Sequence, residues 1–146
     1  MGWLDRMLNG MGRAGVVGSG SVTGDAKAGE GRSSDRSPAE RQLLDRLRTG
    51  DADPLVRLAL RFTGMVQGVG FRWTNQQLAS ARGLTGWVRN MDDGSVTMEV
   101  QGAPAAIADH LDAVHANYRR FGNKVWLASW EDLPSVPAEA DFEVRF

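Results

Sequence analysis

Cysteine is absent from the 146 residues, which excludes disulfides, thiolate nucleophiles and cysteine-based metal sites. A surplus of either charge is lacking too. The 17 Lys and Arg residues face 18 Asp and Glu, for a formal net charge of −1. That balance carries no electrostatic footprint for nucleic acid or an anionic membrane. No apolar run reaches the roughly 18 residues that cross a bilayer. Arg6 and Arg13 are not followed by the apolar stretch of a secretory signal. Met1-Gly2 does not complete a myristoylation motif, because position 6 is Arg6. The expectation is a soluble cytoplasmic protein with neither a nucleic-acid nor a membrane partner.

What is present divides near Pro54. Residues 9–36 are rich in Gly, Ser and charge and poor in large apolar side chains. Such a stretch cannot bury enough apolar area to offset its ordering entropy, so residues 1–53 read as a flexible tail whose partner is open. Two helical candidates interrupt it. Trp3, Leu4, Met7 and Leu8 would share one face. Ser37-Pro38-Ala39-Glu40 has the form of a capping box with proline at N1, and Leu43, Leu44 and Leu47 follow before Gly50. This predicts a short helix over 38–48 that needs a surface to dock on. A chain lacking residues 1–50 is expected to remain folded and active.

Residues 54–146 read as one alternating domain. Leu58, Leu60 and Phe62 alternate with Arg57 and Arg61 in a strand. Residues 72–82 are helix-permissive up to Gly83, and 84–90 and 95–101 are strands flanking the turn Met91-Asp92-Asp93-Gly94. Pro104 opens a helix on which Ile107, Leu111, Val114 and Tyr118 form one face. Residues 124–130 make a fourth strand, and Phe142, Val144 and Phe146 alternate at the end. The order β-α-β-β-α-β predicts an α+β, ferredoxin-like split βαβ sandwich, with an antiparallel sheet and two helices on one face.

Chemistry concentrates in Gly64-Met65-Val66-Gln67-Gly68-Val69-Gly70-Phe71-Arg72, between the first strand and the helix after it. Its glycines let the backbone approach a ligand and turn N–H groups inward. The helix adds the positive end of its dipole. Arg72, at the helix start, can grip two phosphate oxygens at once. Asn90 closes a strand before a turn; its amide can hold a water, or merely cap the hairpin.

Gly64-x-Val66-Gln67-Gly68-Val69-x-Phe71-Arg72 and Gly86-Trp87-Val88-Arg89-Asn90-x3-Gly94-x-Val96-x5-Gly102 resemble the two signature motifs of the acylphosphatase family. The likeness extends over roughly residues 55–146 and includes the closing Phe142–Phe146 stretch. It implies metal-free, cofactor-free hydrolysis of a small-molecule acyl phosphate, a carboxylic–phosphoric anhydride. In that family the loop amides, here Gln67, Gly68, Val69, Gly70 and Phe71, hold the phosphoryl group with the arginine, here Arg72. The asparagine, here Asn90, orients the attacking water, and the substrate phosphate can take the proton. The long tail departs from the family's compact domain, and residues 119–141 match only loosely, which leaves the last strand register open.

Other candidates are weaker. His110 and His115 stand at i, i+5 on one helix without a third ligand, and read as solvated. Asp92 and Asp93 read as a solvated hairpin tip. Trp87, Trp126 and Trp130 suit strand-face packing better than base stacking. The alternative function is a non-catalytic phosphate- or carboxylate-binding regulatory module on the same fold. A carbamoyl-phosphate-handling module, as in larger maturation enzymes, is a third idea that lacks its further catalytic domain.

Overall fold

Period-two alternation builds the sheet. Leu58, Leu60 and Phe62 all lie on one buried face of the first strand, while Arg57, Ala59 and Arg61 point to the other. The computed structural model describes residues 36–50, 53–119 and 124–146. Its elements are α1 (Pro38–Arg48), β1 (Val56–Gly64), α2 (Phe71–Ala81), β2 (Thr85–Asn90), β3 (Val96–Gly102), α3 (Pro104–Arg119), β4 (Val125–Leu133) and β5 (Phe142–Arg145). The Trp3–Leu8 patch lies outside the described residues, as does the tail stretch before Arg36.

The strand order is β4-β1-β3-β2-β5. β1–β3, β1–β4 and β2–β3 are antiparallel, as the split βαβ pattern requires, with a register shift between Arg61 and Phe62 where β4 pairs. β5 departs from the expected antiparallel sheet: it runs parallel to β2, with Val88 opposite Val144. The physical reason is the crossing of residues 134–141 from one sheet edge to the other. Those residues pass the helix-free face, where Val136 takes and gives hydrogen bonds with Gln101 and Glu139 binds Arg57. Arg57 is buried between Glu99 and Glu139. Burial opposes its charge, but hydrogen bonds and attraction from both carboxylates outweigh that and raise its pKa.

The helix layer holds three helices, not two. α2 and α3 cover the sheet, and α1 packs on α3 and β4. Ser37 caps α1 by accepting from the Glu40 N–H at 2.9 Å, and its hydroxyl donates to Leu127 O at 2.6 Å. Leu43, Leu44 and Leu47 are buried in the same core cluster as Leu58, Met98 and Ile107. Ion pairs line the rim: Arg36 and Arg48 both meet Asp112, and Arg46 meets Asp132 at 2.8 Å. The helix expected over 38–48 thus docks on the domain itself.

Candidate active site

The loop from Met65 to Gly70 follows β1 at one end of the sheet. Gly68 (φ +78°) and Gly70 (φ +75°) are left-handed, a backbone that a side chain would strain. Gly70 is also the N-cap of α2, and no side chain caps the helix there. The first N–H groups of α2 therefore keep their donor capacity for a ligand, at the positive end of the dipole. Gln67, Gly68 and Gly70 are exposed, Val69 is half-buried, and Phe71 is anchored in the core, its ring 5.2 Å from that of Phe62 and 5.4 Å from that of Tyr118.

Arg72 is half-buried in the first turn of α2. Its Nη1 donates to Arg145 O at 2.9 Å, and the Phe146 ring lies 4.7 Å from its guanidinium carbon. One guanidinium donor is spent on β5, so most of its five remain for an anion. The end of the chain thus holds the arginine at the sheet edge.

Asn90 is the last residue of β2, opposite Val96. Its Oδ1 is buried and accepts no hydrogen bond among the described residues. A buried acceptor without a partner is costly, and such groups concentrate where a ligand or water completes them. Gln67 joins the two halves of the site: its Nε2 donates to Met91 O at 2.8 Å and to Ser95 O at 2.9 Å. The side chain of Gln67 therefore ties the loop to the hairpin carrying Asn90. Within that hairpin, hydrogen bonds from Ser95, helped by Arg61, pull the Asp93 carboxyl down to about 2. Asp93 is thus a turn-fixing group unsuited to proton transfer near neutral pH.

His110 corrects a sequence expectation. It is fully buried, not solvated, because it sits on the inward stripe between Ile107 and Leu111. Its Nε2 lies 2.8 Å from Asn75 Oδ1, while Asn75 Nδ2 donates to Phe71 O at 2.8 Å. Burial, with Arg82 nearby, lowers its pKa to about 4, so it is neutral near pH 7. Trp87 lies under Arg145 at 4.8 Å and Trp130 under Arg46 at 5.3 Å. Sequence reasoning missed Asn75 and the hydroxyl of Tyr118, which donates to Val69 O at 3.2 Å. Polar atoms on an otherwise apolar inward face were the available signal.

A cleft of about 650 Å³ runs between α2 and β5, bounded by Trp73, Gln76, Leu84, Asp141 and Val144. Neither Arg72, Asn90 nor any residue of the 65–70 loop lines it. Among the described residues, no group of three or more His, Asp or Glu could bind a metal, and no helix is long and apolar enough to cross a membrane.

The sequence model of the acylphosphatase family matches residues 58–144. An acylphosphatase of Salinibacter ruber is 39% identical over 89 residues, covering 61% of this chain and 92% of that protein. An acylphosphatase of Geobacillus thermodenitrificans is 55% identical over 83 residues, 57% of this chain and 86% of that one. Among solved structures, the acylphosphatase of Bacillus subtilis superposes with a TM-score of 0.52 at 28% identity, covering 62% of this chain and 99% of that one. With both sequence motifs, the fold and the matching span in agreement, the chain belongs to the acylphosphatase family.

Proposed function

We propose that Arg72 and the backbone amides of residues 67–71 hold the phosphoryl group while Asn90 orients the water that attacks it. The reaction is the hydrolysis of an acyl phosphate to carboxylate and phosphate. The observation that supports this assignment best is the start of α2: a left-handed Gly70, no side-chain cap, and an arginine in the first turn. Water oxygen attacks phosphorus, the P–O bond to the acyl group breaks, and the carboxylate leaves with the electron pair. The proton of the water passes to a phosphate oxygen, so no side-chain base is needed. Phosphoryl transfer asks mainly for positioning and charge stabilisation, which a loop of amides and a planar guanidinium supply. The unpartnered Oδ1 of Asn90 suits acceptance of a hydrogen bond from the water. A cytoplasmic setting and a free small-molecule substrate complete the proposal.

Benzoyl phosphate hydrolysis by the full chain, with and without EDTA, tests it. Arg72→Ala is expected to lose about 10²–10³-fold in kcat/KM, and Arg72→Lys to recover little, because an ammonium cannot copy the fork. Near wild-type turnover by Arg72→Ala, or EDTA inactivation reversed by a divalent ion, would sink the mechanism.

A further inference from the structure

Tyr118 is the single tyrosine of the chain and stands on the inward stripe of α3 with Ile107, Leu111 and Val114. Its ring is buried and packs 5.4 Å from Phe71. Phenylalanine would fill that position equally well, so the hydroxyl is an addition that packing does not require. A buried hydroxyl is costly unless hydrogen-bonded. Both of its partners lie where the loop enters α2: it donates to Val69 O at 3.2 Å and lies 3.1 Å from Thr74 Oγ1.

The direction of the first bond matters. No peptide bond of the described residues is cis, so the C=O of Val69 and the N–H of Gly70 point in opposite directions across one rigid plane. Drawing the Val69 carbonyl inward to Tyr118 turns the Gly70 N–H outward. Gly70 is exposed and Val69 half-buried, in keeping with that orientation. The next peptide is fixed separately, because Gly70 O accepts from Thr74 N at 2.9 Å within the first turn of α2. Gly70 gives the Val69–Gly70 plane one conformationally permissive side. The Tyr118 bond from α3 holds the Val69 carbonyl against rotation of that plane, alongside the packing of the Val69 side chain on the core.

We propose that Tyr118 is a positioning residue for the phosphate loop: its hydroxyl fixes the Val69–Gly70 peptide so that the Gly70 amide faces the phosphoryl group. The inference rests on the loop reading above and adds a second helix, α3, to the site. Preorganising one donor removes a rotational cost from binding and from the transition state.

The test is Tyr118→Phe in the full chain, with inorganic phosphate as the probe. The variant keeps the ring, so its Tm stays near that of wild type. Competitive inhibition by phosphate is expected to weaken about 3- to 10-fold, the range of one net hydrogen bond. The phosphate-induced shift of the Gly70 amide in a ¹⁵N spectrum shrinks in the variant. If wild type shows no Gly70 shift with phosphate, the loop reading itself fails. If wild type shifts and Tyr118→Phe shifts equally with unchanged inhibition, only the tether is refuted. Thr74→Val keeps the Val69 bond and is expected to bind phosphate nearly normally. An effect as large as that of Tyr118→Phe would mean the hydroxyl acts through α2 and would overturn the proposal.

Discussion

Asn90 separates two readings that coincide in the sequence, a hairpin residue and a water-orienting one. The hairpin is closed by other groups: Met91 N donates to Ser95 O at 2.8 Å, and Gln67 and Asp93 add side-chain bonds. The side-chain Oδ1 of Asn90 takes no part in these bonds and has no donor among the described residues. Asn90→Ala is therefore expected to lower kcat by about 10²-fold with KM within about threefold of wild type, since the lost term orients the nucleophile and not the phosphate. A thermal melt run beside the kinetics decides the matter. A variant that melts early yet turns over normally when folded would make Asn90 a turn residue.

At the scale of one element, α1 shows what packing adds to a sequence reading. The leucine spacing and the capping residues announce the helix, and it spans the expected Pro38–Arg48. Its packing on α3 and β4 bears against its being dispensable. Leu43 is wholly buried, and each such leucine contributes about 1.5–3 kcal/mol on burial. We infer that α1 is an integral layer of the domain. Deleting residues 1–35 is expected to leave Tm and activity unchanged, whereas deleting 1–50 lowers Tm sharply by uncovering β4 and α3. Leu43→Ala alone is expected to cost about 2–5 kcal/mol, measured by urea unfolding. Equal stability of the 1–50 deletion and the full chain would return α1 to the status of a tail.

Over the whole molecule, two buried groups work against each other as pH changes. Burial pushes the Glu40 carboxyl up to about 7, opposed by Arg36 and assisted by Asp112. A carboxyl that binds its proton more tightly when folded loses stability as pH rises, here across the window from its ordinary 4.5 to about 7. His110 acts in the other direction. Its folded pKa falls from 6.5 to about 4, so the unfolded chain binds the extra proton and stability grows as pH rises through that window. The two slopes offset each other between about pH 4.5 and 6.5. Glu40→Gln removes one of them: its Tm advantage over wild type is expected to grow from pH 4.5, reach a few degrees by pH 7 and then level off. A constant difference at every pH would show that Glu40 is not the titrating group. Turnover should stay nearly flat from about pH 5 to 8, because no side chain carries the proton in the proposed reaction.

The linear chain determined much of this by itself. Period-two alternation in β1 and the inward stripe of α3 are local patterns, and glycines 68 and 70 beside Arg72 mark a loop that needs left-handed backbone. Such features are legible because each depends on neighbours within a few residues. Tertiary structure alone decided the rest. The parallel pairing of β5 with β2 depends on a crossing segment held by Arg57 and Gln101, up to 82 residues away in sequence. The burial of His110 and the grip of Arg145 O on Arg72 arise the same way. A side chain's periodicity says which face it occupies. Whether that face meets water, a carbonyl or another helix is set by elements folded from elsewhere in the chain.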